Sequence, residues 1–460
     1  MNVWQIFCIY SIVVKENTSA AKCRFSDMTE KEEEKMEHSQ KALFHLLEKG
    51  TSAPMVVLEA ERQLKESDFG ELRFQEDWEL KENGRYYVKH HDTALFAFTI
   101  GEESMDDIRI AGAHTDFPCL RLKPRPDVEA GGYAQVNVEV YGGAILNTWL
   151  DRPLSISGRV ALAGEEVMHP NMRYLSVQQT LGVIPNLAIH MHPEVNKGIE
   201  LNRQTDLLPI LGFADKKAER PFIEFLAKEL DAKPEEILDY ELWVYCQEPP
   251  RYAGLNQELI LSPRLDNLTS VQALLTAVMG SRPRKGINVI ALFDHEEVGS
   301  RTKQGAGSMV LRDVLERIGA CLGRTPAQIS QNLYNAFFLS VDVAHGMHPN
   351  HMGKMDLTNR PVLGNGVCIK EASAQSYATD CEAVAVVEQI CRNENIPYQK
   401  FVNRSDLRGG GTLGSIASSF LPVRTVDIGI PLLAMHSAVE TMGAEDMKAL
   451  TDLMKAYFDL

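Results

Sequence analysis

The sequence predicts an α/β domain interrupted by a β-rich insertion, and three observations carry that prediction. Before residue 120 and again after residue 251, apolar runs of buried-strand length alternate with amphipathic helical stretches, the pattern of a covered, mostly parallel sheet. Between them the texture changes to strict alternation, with Val136, Val138 and Val140 set against Asn137 and Glu139, which is half-buried antiparallel strand. At 460 residues, 44% hydrophobic and 24% charged, the chain is long enough for one large domain or two interleaved ones and shows no long disordered tract.

Taken in order, residues 4–14 are mostly apolar but too few to span a bilayer and have no basic residues ahead of them. The natural chain is therefore expected to start at Met28 or Met36, leaving residues 1–27 as a doubtful extension. Thr29 and Glu32 fit a capping box for a first helix whose apolar face is Leu43, Phe44, Leu46 and Leu47. Ser52 is placed to cap a second helix, with Pro54 in its first turn and Val56, Val57, Ala60 and Leu64 on a stripe. Residues 86–88, 95–100 and 108–113 read as strands, the last ending abruptly in His114-Thr115-Asp116. In the insertion, residues 154–162 and 187–191 add strands, and residues 218–232 and 234–238 read as helical pieces at its edge. Beyond residue 251, helix is expected at 267–278, 310–322, 377–395 and 444–459, and strand at 287–293, 336–341 and 423–430. The division that results is residues 28–119 and 252–460 for the α/β domain and residues 120–251 for the insertion.

Charge narrows the partners. There are 47 basic and 63 acidic residues, a net charge of -16, which argues against nucleic acid or an anionic membrane as a partner. The eight cysteines are scattered, with no C-x-x-C pair, so reduced thiols in a cytoplasmic protein are expected.

Chemistry-bearing residues sit where the apolar runs end: His114 after 108–113, Glu296 and Glu297 after 287–293, Asp342 after 336–341, and His436 shortly after 423–430. Open α/β sheets hold their ligands outside the carboxyl ends of the strands, so these four places converge. Asp266 precedes the helix at 267–278, whose N-terminus favours a carboxylate. Singly, each is an ordinary core or solvated residue; together they form a nitrogen and oxygen donor set that suits zinc, with cobalt or manganese as substitutes. Five donors are too many for one catalytic zinc and fit two ions sharing a carboxylate. Neighbouring side chains diverge, so one of Glu296 and Glu297 can ligate while the other faces a bound water.

These motifs resemble the aspartyl aminopeptidase family of dizinc metalloaminopeptidases. The resemblance rests on Ala113-His114-Thr115-Asp116, Ser262-Pro263-Arg264-Leu265-Asp266-Asn267, Phe293-Asp294-His295-Glu296-Glu297, Ser340-Val341-Asp342-Val343-Ala344-His345 and Ala434-Met435-His436-Ser437, in the family's order. It implies a phosphorylase/hydrolase-like mixed-sheet catalytic domain with the insertion serving dimerisation. It implies Asp266 as the bridge, His114 and Asp342 completing one zinc site, Glu297 and His436 the other, Glu296 as base and Asp116 orienting an imidazole. It further implies peptide substrates cut at the N-terminal residue, with Asp or Glu favoured, and a homo-oligomer, in the family a dodecamer. His190, Lys370, Gly411 and Thr412 match positions the family associates with substrate. Two alternatives stay open: a related dizinc deacylase or carboxypeptidase, and a non-catalytic self-assembling cargo protein.

Overall fold

The computed structural model describes residues 30–214, 218–283, 285–407 and 409–460. The apolar stretch at 4–14, Met28 and the capping Thr29 lie outside them.

A nine-stranded mixed sheet organises the molecule, in the order Gly70–Leu72, Arg85–His90, Ala94–Ile100, Lys285–Phe293, Glu103–His114, Phe337–Val341, Arg424–Gly429, Val367–Glu371 and Tyr398–Val402. Four adjacent strands, Lys285–Phe293, Glu103–His114, Phe337–Val341 and Arg424–Gly429, run parallel. Their alternation splits the apolar side chains between two faces. Ala111, Ala113, Ile290, Leu292, Leu339 and Val341 join a core with the helices Glu30–Lys49, Ala53–Glu66, Leu265–Gly280 and Asp446–Phe458. Ile108, Ile110, Val289, Ala291 and Phe338 face the other way, under Val310–Cys321, Pro326–Asn335 and Leu413–Phe420. The result is a sheet covered by helices on both faces.

Helix Leu265–Gly280 is buried on all faces through most of its length, enclosing small polar side chains such as Thr269 and Ser270 as well as apolar ones, because other helices and a sheet surround it. Truncating fully buried Leu274 or Leu275 to alanine would cost roughly 2–5 kcal/mol in lost burial and cavity formation.

A six-stranded antiparallel sheet comprises strands between Cys119 and Cys246, in the order His169–Ser176, Leu154–Glu166, Ile237–Cys246, Cys119–Ala130, Tyr133–Tyr141 and Ile210–Phe213. A smaller five-stranded sheet, Arg251–Ala253, Leu259–Ser262, Glu440–Gly443, Pro431–Leu433 and Ala344–His345, lies at the end of the parallel strands that carries the candidate ligands.

Several local expectations change. Residues 187–191 form no strand; Met191 N–H donates to the Ala188 carbonyl in a turn, Leu187, Ile189 and Met191 are exposed, and among the described residues no strand pairs with them. Residues 234–236 make one short 3-10 turn before strand Ile237–Cys246 begins. The helix expected at 377 starts at Cys381, because the Asp380 carboxylate accepts the Ala383 N–H and fixes the N-terminus there. Ser52 does not cap its helix; its hydroxyl bonds Ser157 Oγ, tying the helix to strand Leu154–Glu166.

Candidate metal centre

The parallel strands deliver their C-terminal ends to one place. His114 ends strand Glu103–His114 and stands in register with Phe293, so Glu296 and Glu297 follow one turn beyond it. Asp342 follows Phe337–Val341, and His436 comes after Arg424–Gly429 by way of the short strand Pro431–Leu433. Asp266 lies in the distorted first turn of helix Leu265–Gly280, and its neighbour Asn267 donates through Nδ2 to the Val341 carbonyl, holding Asp266 beside Asp342.

Both imidazoles are oriented the same way. His114 Nδ1 lies 3.0 Å from the Asp116 carbonyl and His436 Nδ1 lies 3.2 Å from the Gly143 carbonyl. A nitrogen that donates to a carbonyl leaves the other ring nitrogen as the free donor atom for a metal. The two Nε2 atoms face the two oxygens of Asp266, His114 at 3.4 Å from Oδ1 and His436 at 3.3 Å from Oδ2. His114 Nε2 is also 3.5 Å from Asp342 Oδ1, and His436 Nε2 is 3.5 Å from Glu297 Oε2.

These spacings are long for hydrogen bonds and suited to a shared ion. Two donors each about 2.0–2.1 Å from zinc at the tetrahedral angle stand about 3.4 Å apart. The donor atoms fall into groups that could each hold an ion, among them His114, Asp266 and Asp342, and Asp266, Glu297 and His436, with Asp266 common to both. Asp266 Oδ1 and Glu297 Oε1 are buried without a hydrogen-bond partner, a costly state that a bound cation relieves. The residues present therefore fit zinc.

Electrostatics argue the same way. Burial, with the charges of Asp342, Asp116 and Asp266, pushes the Glu296 carboxyl up to about 8 despite His114. Burial and Asp266 also push Glu297 well above the usual range. Burial works against a charged His436, yet hydrogen bonding to Asp266 and the charge of Glu297 push it up to about 10. So many buried carboxyl groups stay ionised together only around cations.

Asp116 is a hub. Its Oδ1 accepts the Glu296 N–H at 3.1 Å and its Oδ2 the Glu297 N–H at 3.2 Å, while Oδ1 lies 3.5 Å from His114 Nδ1. Opposite it, the buried Glu440 carboxylate accepts the Asp266 N–H at 2.9 Å and the His436 N–H at 2.7 Å. Burial and the Asp266 charge push Glu440 up to about 8. Sequence reading missed Glu440, which sits in no motif and takes its meaning from a partner 174 residues away.

Backbone strain marks the same loops. Arg264, His295, Ala434 and His436 have left-handed φ of 57–68°, each costing on the order of 1 kcal/mol for a non-glycine residue.

The remaining candidates lie in different surroundings. Lys370 is 1% exposed; its Nζ donates to the Val343 carbonyl at 3.1 Å and lies 3.8 Å from Asp342 Oδ2. It also sits 5.2 Å from the centre of the Tyr377 ring. Burial opposes its charge, but Asp342 raises its pKa. The buried Thr412 hydroxyl donates to Asp427, whose Oδ1 also accepts Ser340 Oγ. Gly411 is exposed, as is His190 on the loop 187–191, and both lie outside the ligand groups.

The model of the aminopeptidase I zinc metalloprotease family, M18, matches residues 46–458. The chain belongs to the M18 family. A probable M18 family aminopeptidase 2 from Clostridium acetobutylicum is 44% identical over 402 residues, covering 86% of this chain and 93% of that one. Its counterpart in Clostridium novyi is 43% identical over 423 residues, covering 91% and 98%. Among solved structures, a chain of the Ape4 and Nbr1 complex superposes with a TM-score of 0.87 at 30% identity, covering 92% of this chain and 86% of that one. This M18 member is a zinc-dependent aminopeptidase, and the assignment favours that activity over the deacylase, carboxypeptidase and non-catalytic alternatives. Among the described residues no helix is long and apolar enough to cross a membrane.

Proposed function

We propose that the protein removes the N-terminal residue from peptides using two zinc ions, with His114 and Asp342 holding one, Glu297 and His436 the other, and Asp266 spanning both. The observation that carries this is the Asp266 carboxylate, whose two oxygens each face a different imidazole. When bound, zinc supplies a Lewis acid for the scissile carbonyl and lowers the pKa of water.

The chain's own residues do the rest. Glu296 takes a proton from the attacking water through its carboxylate and hands it to the departing amine nitrogen. Its main chain is held by Asp116, so the base is fixed by a bond that leaves its side chain free. Asp116 also anchors the Glu297 main chain and lies against His114, which keeps the base and two ligands in one frame. The acidic groups around the ligands favour the substrate's free α-ammonium, which restricts cutting to the chain end. Cobalt or manganese would serve the same oxygen and nitrogen set.

The proposal includes a preference for N-terminal Asp or Glu, a cytoplasmic setting and self-association through the six-stranded sheet, taken as a module of residues 120–251 inserted between residues 28–119 and 252–460. A chain that superposes with a TM-score of 0.79, mApe1, forms a dodecamer. Self-association gives the exposed His190 a role as the imidazole one subunit offers to the cleft of the next. Gly411 would line the cleft, with Thr412 and Lys370 supporting it from behind.

Metal analysis tests the reading: two zinc ions per chain support it and one ion rejects the shared-carboxylate arrangement. A panel of aspartyl, glutamyl and leucyl peptides tests the preference, which equal kcat/KM across the panel rejects.

A further inference from the structure

The six-stranded sheet reaches into the metal centre through one short segment. Strand Tyr133–Tyr141 ends against Asp116, and the Tyr141 hydroxyl donates to Asp116 Oδ2 at 2.7 Å. That oxygen also accepts the Glu297 N–H, and its twin accepts the Glu296 N–H. Tyr141 therefore completes the shell of the group that holds both glutamates and His114.

The next two residues are glycines set close against the candidate ligands. A Cβ on Gly142, whose φ is +72°, would lie 3.1 Å from Glu297 Cβ, and one on Gly143 would lie 3.2 Å from His436 Nδ1. The Gly143 carbonyl is the acceptor that turns His436 Nε2 toward Asp266. The contact continues: Ile145 N–H donates to the His436 carbonyl at 3.0 Å, and the Ala438 N–H donates to Thr148 Oγ1 at 2.9 Å.

We infer that Tyr141 and Gly143 are positioning residues of the metal centre, Tyr141 through Asp116 and Gly143 through His436, so that a strand outside the catalytic sheet sets the geometry of the ligands. Neither touches the reacting atoms. The two act on opposite sides of Asp266, one on the His114 and Glu296 side and one on His436. Orienting partners of this kind typically change metal affinity or activity 10–100-fold when lost.

The inference rests on the zinc reading above, and the test separates the two. Tyr141→Phe removes one hydroxyl and keeps the ring; Gly143→Ala adds one methyl group against His436. Each is measured for zinc affinity by competition with a chromogenic chelator, for the visible spectrum of the cobalt-loaded protein, and for kcat and KM separately. The expected result is zinc affinity and kcat both lowered about 10–100-fold in each variant, an altered cobalt spectrum and little change in KM. Thermal melting of the zinc-free proteins checks folding; should Tyr141→Phe fail to fold, Gly143→Ala decides alone. Folded variants with wild-type zinc affinity, cobalt spectrum and kcat overturn the inference. His436→Ala is the control: if it binds zinc as tightly as wild type, the ligand assignment fails, whatever the other two variants do.

Discussion

Glu296 and Glu297 are adjacent and chemically identical, yet the proposed mechanism gives them opposite sensitivities. Glu297 Oε2 faces His436 Nε2 at 3.5 Å, and its other oxygen is buried without a partner. Glu296 joins His114 and Glu297 in a third donor group but neither of the two that contain Asp266, and the bond that fixes it is made by its N–H, which substitution does not remove. Glu296→Gln keeps size, shape and main-chain anchor and deletes only the ability to take a proton. Zinc content, KM and the melting temperature of the protein are expected to stay at wild-type values. Loss of a general base lowers kcat by about 10²–10⁴-fold, equivalent to about 2.7–5.4 kcal/mol of transition-state stabilisation. Glu297→Gln is expected to lose zinc first and activity in consequence. Steady-state kinetics on a free-amine dipeptide, with metal analysis of the same samples, read both variants. A Glu296→Gln enzyme within threefold of wild-type kcat would refute the assignment of the base, and one that had lost its zinc would refute the division of labour between the neighbours.

Three further outcomes follow from the same geometry. Stripping zinc with a chelator should abolish activity and lower stability, since ligand at about 100 times its Kd contributes about 2.7 kcal/mol to the folded state; a melting curve unmoved by chelation would show that the carboxylates do not need the ions. Lys370→Met leaves Asp342 and Asp427 buried with less compensating charge and should cost about 3–5 kcal/mol in denaturant unfolding, whereas a solvated lysine there would cost almost nothing. Asp446 is buried and accepts the Gly364 and Gly366 N–H groups, and burial pushes its pKa from 3.8 up to about 7. The folded state therefore holds this proton more tightly than the unfolded one. The associated stability is complete below pH 3.8 and is lost as pH rises through 7. Asp446→Asn should flatten the fall of unfolding free energy between pH 4 and 7 by up to about 1.4 kcal/mol per pH unit; equal slopes in both proteins would show that this carboxyl stays ionised.

The convergence of His114, Glu297 and Asp342 was readable from sequence because each stands just past an abrupt end of an apolar run, and parallel strands turn that position into a shared location. Helix faces such as Val56, Val57, Ala60 and Leu64 were readable because their period is local, and all four are buried. The supporting residues were not. Glu440 resembles any acidic residue until strand Glu440–Gly443 pairs with Leu259–Ser262 and swings its carboxylate under Asp266. Tyr141 ends a visible alternation, but nothing local indicates that its hydroxyl meets Asp116. Lysine is seldom buried, so the enclosure of Lys370 has no local signature. The alternation at 187–191 misled for a complementary reason: spaced apolar residues suggest a strand only if another strand pairs with them, and among the described residues none does.

The strand carrying His114 lies between Lys285–Phe293 and Phe337–Val341, both of which the ribosome makes more than 170 residues later. Until they emerge, an apolar strand with both edges open waits while the six-stranded sheet is translated. Such distant pairing slows folding and leaves sticky edges exposed to other nascent chains. The central place of this strand therefore means that its two edges are covered only after most of the chain has been made.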